Sequence, residues 1–201
     1  MADNLSDVYL NIAGVTGESS DVKHAGKDGW IVISSFNFGF SFDTGTSATS
    51  ATPAPAVAPA GGKAATAPAA PAKKDDTNQP NKPVTFTKQP DAASTQLAQY
   101  CYDGTLVETV TFEVCRYGGT EAGEGARGAK IAFLDLIFKN VTFKKSAMQI
   151  SGEGLPSESL EFTYETVTMT TIWTDNATGD RIPGGQNRAG WNFKDNVAAT
   201  S

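Results

Sequence analysis

The chain has 201 residues, 39% of them apolar and 19% charged, with a formal net charge of −6. That length allows one domain, or one domain with a long insertion, and supplies enough apolar residues to fill a core. The acidic balance excludes general nucleic-acid binding, which needs a basic field, and no apolar run approaches the roughly 20 residues that cross a bilayer as a helix.

Met1 to Ile12 carries Asp3 and Asp7, with no basic start and no apolar stretch, so the expectation is folding in the cytoplasm without a cleaved leader. Val8 to Ile12 is apolar at alternate positions and predicts a short strand. Trp30 to Phe42 predicts a long one. Its even face carries Val32, Ser34, Phe36, Phe38, Phe40 and Phe42. Its odd face carries Ile31, Ile33, Ser35, Asn37, Gly39 and Ser41. Period 2 places the four phenylalanines in a core and the smaller groups near water.

Thr44 to Pro83 differs from everything around it, with seven of the ten prolines, twelve alanines and no aromatic residue. Such a stretch cannot bury enough apolar surface to offset the entropy of ordering it. It reads as a long, disordered, Pro/Ala-rich loop inserted into a single domain spanning residues 1–201. Tyr9 to Phe42 is too short to fold alone, so its strands need partners from beyond the insertion.

Val84 to Thr87 predicts a further strand. Ser94 is placed to cap a short helix running to about Tyr102, with Leu97, Tyr100 and Cys101 on one face and Gly104 as its stop. Thr105 to Tyr117 alternates, with Val110, Phe112 and Val114 facing one way. Lys130 to Phe143 is apolar on both faces and predicts a central strand. Between Leu160 and Trp173 the apolar phase flips near Glu165 and Thr166, as at a β-bulge or a strand crossing between sheets. Asp175 to Gly185 reads as turn and loop. Many strands, one short side helix and glycine-rich turns make a mainly β fold, a compact β-barrel of two sheets.

Few residues invite chemistry. Ser19, Asp21 and His24 are triad residue types, but they crowd into six residues of one loop, where local hydrogen bonding is the expected role. His24 is the only histidine, which leaves a histidine-based metal site short of ligands, and no metal or other cofactor is expected. Cys101 and Cys115 form no CxxC and read as ordinary thiols. Gly118 to Lys130 superficially resembles a phosphate loop but lacks the Gly-Lys-Ser/Thr ending and runs into a strand. Glu158, Glu161 and Glu165 read as a solvated sheet face rather than a catalytic pair. The sequons at Asn140 and Asn176 are discounted because no leader is expected, and Lys144-Lys145 reads as a solvated strand end.

Order along the chain adds a resemblance. Tyr9-Leu10-Asn11-Ile12 is followed by Gly14-Val15-Thr16-Gly17-Glu18-Ser19, then Asp21 and His24, then Ile31 to Gly39 as IVISSFNFG. Phe86-Thr87-Lys88, Asp91, Ser94 and Leu97 follow. The end carries Leu160-Glu161-Phe162-Thr163-Tyr164, Ile172-Trp173-Thr174 and Gly190-Trp191-Asn192. This order resembles the haemolysin-coregulated protein (Hcp) family, the inner-tube proteins of bacterial type VI secretion systems, over Tyr9 to Phe42 and Val84 to Asn196. It departs at Phe36-Asn37-Phe38, where tryptophan is common, and in the loop enlarged by Thr44 to Pro83.

The resemblance implies a structural protein and not an enzyme: six copies closing into a ring, rings stacking head to tail into a tube, and the tube expelled with effector cargo by a contractile sheath and spike. The protein would assemble in the bacterial cytoplasm and then be secreted, without membrane insertion. Ser35 and Asn37 are the expected channel-lining residues, since a water-filled channel requires small polar groups. A monomeric secreted β-domain for binding or adhesion is the alternative.

Overall fold

The computed structural model describes residues 6–25, 29–39, 83–117, 130–152, 154–175 and 180–199. The inserted stretch falls outside these residues except for Pro83, and so do Phe40, Phe42, the glycine-rich loop 118–129 and Asn176.

The strands are β1 (Ser6–Ile12), β2 (Ile31–Ile33), β3 (Ser35–Asn37), β4 (Val84–Lys88), β5 (Leu106–Tyr117), β6 (Lys130–Gln149), β7 (Ser157–Thr163), β8 (Thr166–Thr174), β9 (Arg181–Asn192) and β10 (Val197–Ala198), with helix α1 (Ser94–Asp103) after β4. All pairings are antiparallel. The long central strand β6 organises the sheets. One edge pairs with β5 along most of its length. The other pairs with β8 through Leu134 to Lys139 and with β7 through Thr142 to Gln149. β7 pairs with β4, β4 with β3, β2 with β1, and β1 with β5. Because β2 and β3 are one bent stretch of chain, this path returns to β6 and closes a barrel. β8, β9 and β10 extend from it as a flap.

The bend corrects the sequence reading of Trp30 to Phe42 as one uninterrupted strand. Ile31 and Ile33 are buried and Val32 is 54% exposed, the reverse of the expected parity, whereas Phe36 and Phe38 pack against the core as expected. The phase changes at Ser34, whose N–H is taken by Thr87 O at 2.8 Å. One side of the bend serves β1 and the other serves β4.

The expected flip near Glu165 has the same meaning. β7 buries Leu160 and Phe162, the chain turns at Tyr164-Glu165, and β8 buries Val167 against a different stretch of β6. Trp173, which shares the parity of Val167 along the sequence, is half exposed. The residues read as loop up to Gly185 also need correction, because β9 begins at Arg181. Thr174 pairs with Arg181 and Ile172 with Gln186, so Pro183, Gly184 and Gly185 form a bulge in a strand near the sheet edge. Proline is tolerated there. Gly184 takes a φ of 73°, and a Cβ on Gly185 would sit 2.9 Å from Trp173.

The barrel is filled by rings. Phe162 meets Phe138 at 5.3 Å, Phe143 at 5.6 Å and Phe112 at 6.2 Å between centroids, and Phe138 meets Tyr164 at 4.7 Å. Phe36 stacks on Phe112 at 5.1 Å. α1 closes one side through Leu97, with Tyr100 and Cys101 at its margin. It stops at Gly104, which takes φ 68° and donates its N–H to Tyr100 O.

Candidate functional site

Two regions outside the phenylalanine core draw together the residues singled out by the sequence. The first is the loop between β1 and β2, which folds back over the outer face of β1 and β5. Gly14 turns the chain with φ 81°. Gly17 runs so close to Trp30 that a Cβ there would lie 2.4 Å from the Trp30 carbonyl oxygen. The backbone bonds Gly17 N–H to Gly29 O (2.6 Å) and Ser19 N–H to Trp30 O (2.9 Å) hold the two arms of the loop together. Glu18 accepts the Ala92 N–H at 3.0 Å and ties the loop to the chain before α1.

This folding carries His24 to a buried position against β1 and β5. Its ring lies flat on Tyr9, 3.9 Å between centroids and 4° between planes, and Trp30 meets it edge-on. His24 Nδ1 is 2.7 Å from Asp21 Oδ1, and Nε2 is 3.0 Å from Glu113 Oε1. The Cys115 thiol donates to the same Glu113 oxygen at 3.4 Å. Lys130, the first residue of β6, reaches Asp7 at 2.7 Å and Asp21 at 3.0 Å and donates to the Tyr9 hydroxyl.

The electrostatics follow from these contacts. Burial pushes Asp21 up, but hydrogen bonds from His24 and Lys130 outweigh it and hold the carboxyl well below the usual carboxylate range. Burial, reinforced by Glu113, pushes the Cys115 thiol up to about 12. The same two causes raise Asp135, which stands directly opposite Glu113 on β6.

Ser19, Asp21 and His24 are therefore brought together, but not as a triad. Ser19 Oγ accepts the Asp21 N–H at 3.3 Å, while both imidazole nitrogens face carboxylates. The loop is held by local bonds, as expected. Glu113 and Cys115 were missed as members of this cluster. Their spacing of two on β5 puts them on one sheet face, opposite Phe112 and Val114, but which loop covers that face is a long-range fact. Cys101 and Cys115 are both free thiols.

A second buried polar cluster corrects two expectations. Glu158 is not on a solvated face: it is 1% exposed, on the same side of β7 as Leu160 and Phe162. The strand register sets it opposite Lys88, which is fully buried. The Lys88 ammonium meets Asp91 Oδ1 at 2.6 Å, Glu158 Oε2 at 3.2 Å, Ser94 Oγ at 2.9 Å and Gln89 O at 2.9 Å. Ser94 does not cap α1. Ala93 holds that place without a side-chain bond, and Ser94 Oγ is drawn inward to donate to Glu158 at 2.7 Å. Glu165 bonds Asn140, which takes a φ of 53° within β6.

Ser35 and Asn37 lie exposed on the outer face of β3. Across the sheet they stand opposite Thr87 and Thr85, then Ser159 and Glu161 on β7, then Ala147 and Lys145 on β6. Two continuous rows of small or polar side chains thus cross the sheet, and Ser35 Oγ and Thr87 Oγ1 are 2.7 Å apart.

A family model described as "Type VI secretion system effector, Hcp" matches residues 9–171. The chain belongs to the Hcp family. That family is a structural component of type VI secretion systems. Solved structures share the fold. One described as a type six secretion system protein matches with a TM-score of 0.70 and 24% identity, covering 97% of this chain and all of the other. Hcp1 from Salmonella typhimurium matches with a TM-score of 0.62 and 19% identity, covering 96% and 99%. A type VI secretion system effector from Yersinia pestis matches with 0.59 and 18%, covering 92% and 99%. No match to a curated protein was found.

Proposed function

We propose that this Hcp-family chain is a tube subunit: six copies close into a ring, and rings stack head to tail into the inner tube of a type VI secretion system. The tube is assembled in the cytoplasm, propelled by a contractile sheath beneath a spike, and leaves the cell with small effector proteins in its channel. The observation that carries this reading, beside family membership, is the polar outer face of β3, β4, β7 and β6. Rows of Ser35, Thr87, Ser159 and Ala147, and of Asn37, Thr85, Glu161 and Lys145, present a wall without large apolar groups. We assign that wall, with Ser35 and Asn37, to the channel.

The same barrel has surfaces for neighbours. Among the described strands nothing pairs with the outer edge of β2, and β10 with Ala199 covers only Gly190 to Asn192 of β9. Open edges can continue a sheet into the next subunit. Met148, Ile150 and Leu155 stand exposed around the turn between β6 and β7, and Tyr102 and Leu106 stand exposed around the end of α1. Two different patches of this kind suit the heterologous contacts of a stacked ring. Sedimentation equilibrium of the purified chain tests the reading. A mass six times that of the monomer supports it, and a monomer at every concentration favours the lone binding domain instead.

A further inference from the structure

His24 Nε2, Glu113 Oε1 and the Cys115 sulfur converge under the β1–β2 loop. Nε2 and Oε1 are 3.0 Å apart, Oε1 and Sγ 3.4 Å, and all three atoms lie within 4.8 Å of one another. They come from two separate parts of the chain, and His24 and Cys115 are each 1% exposed. Asp21 takes the other ring nitrogen at 2.7 Å. With the Nδ1 proton committed to Asp21, Nε2 presents a lone pair toward a carboxylate oxygen. Two acceptors at that distance require a cation between them, either a proton or a metal ion.

We propose that this cluster is a transition-metal site, suited to zinc, in which His24 Nε2, Glu113 and Cys115 are the protein ligands. Nitrogen, oxygen and thiolate are zinc's ordinary donors. Bonds of about 2.0 Å to N and O and about 2.3 Å to S place tetrahedral ligands roughly 3.3–3.5 Å apart, so modest side-chain shifts suffice. Asp21 on Nδ1 is the outer carboxylate that commonly orients a metal-bound histidine. Charge balances as well. One Zn²⁺ replaces two protons, one from between Nε2 and Glu113 and one from the Cys115 thiol, and both are released to solvent. The setting favours a cation: Asp7, Asp21, Glu113 and Asp135 outnumber Lys23, Lys130 and Arg181, and the buried Asp135 Oδ1 accepts no hydrogen bond among the described residues. Glu113 is the most open of the three, at 24% exposure of its side chain, which leaves a fourth position for water. Bound metal would clip the β1–β2 loop to β5.

The test uses the full chain freed of metal by chelation and titrated with Co²⁺, whose thiolate complexes absorb by charge transfer. The expected result is a band saturating at one equivalent, displaced by Zn²⁺, kept by Cys101→Ser and lost in Cys115→Ser. Asp21→Asn should weaken cobalt binding about 10- to 100-fold while the band persists at excess metal. Zn²⁺ should raise the thermal midpoint of the parent and not that of Cys115→Ser. No band from the folded parent at tenfold excess cobalt overturns the proposal, and so does a band that survives Cys115→Ser. Neither outcome depends on whether the protein forms rings.

Discussion

At the scale of single residues, two positions carry more of the fold than their chemistry suggests. A Cβ on Gly17 would lie 2.4 Å from the Trp30 carbonyl oxygen, so Gly17→Ala must push the loop arms apart. A loss on the order of 1–3 kcal/mol is expected, read as a lower urea midpoint at unchanged slope. Lys88 places its charge in the barrel wall on Glu158, Asp91 and Ser94. Lys88→Met strands a buried carboxylate and should cost about 3–5 kcal/mol. Adding Glu158→Gln should recover a substantial part of that loss in the same denaturation measurement. Equal losses in the single and double variants would mean that the pair is not coupled.

Cys115 makes a pH prediction. Its thiol is pushed from 9.0 to about 12, by burial first and Glu113 second, so the native state keeps a proton that the unfolded chain gives up. The contribution is fully present below pH 9.0 and is lost as pH rises toward 12. Stability measured from pH 8 upward should therefore fall less steeply in Cys115→Ser than in the parent. Asp21 acts in the opposite direction, since its carboxyl is held down: its contribution is present at neutral pH and fades as acid protonates it. These residue-scale facts were the least legible in the sequence. Glu158 shares the parity of Leu160 and Phe162 on β7, but a charged residue on a core-facing row reads as solvated until a buried lysine is known to stand opposite. Ser94 has the composition of a cap, and only its position beside Glu158 turns it inward.

At the scale of elements, alternation recovered most of the barrel. The parity of Val110, Phe112 and Val114, the two-sided apolar character of β6 and the phase change near Glu165 all describe real features. The failures share one cause. A period-2 pattern cannot show a bend at which the chain changes sheets while both halves remain strand-like, so alternation points Val32 inward although Ile31 and Ile33 are the buried residues. Pro183, Gly184 and Gly185 are loop residues by composition, yet a bulge in a strand near the edge accommodates them. The register of β3 and β4 makes a prediction about the inserted stretch. Asn37 stands directly opposite Thr85, so β3 and β4 are already paired on either side of the inserted stretch. Replacing that stretch with a short glycine-serine turn should leave the far-UV spectrum unchanged and the thermal midpoint within a few degrees of the parent. Collapse of the cooperative transition would show instead that the barrel needs the stretch.

At the scale of the whole molecule, open strand edges, exposed apolar groups at separate places and a polar sheet face are the features of this Hcp-family barrel that support the proposed ring. The family is legible in the order of short motifs from Tyr9 to Asn192. The proposed assembly rests on surfaces, which short motifs do not describe. Negative-stain electron microscopy of the purified protein tests it most directly. The account predicts rings of uniform diameter with six-fold symmetry and an open centre. Uniform small particles without a central opening, at concentrations well above those used for imaging other rings, would contradict it.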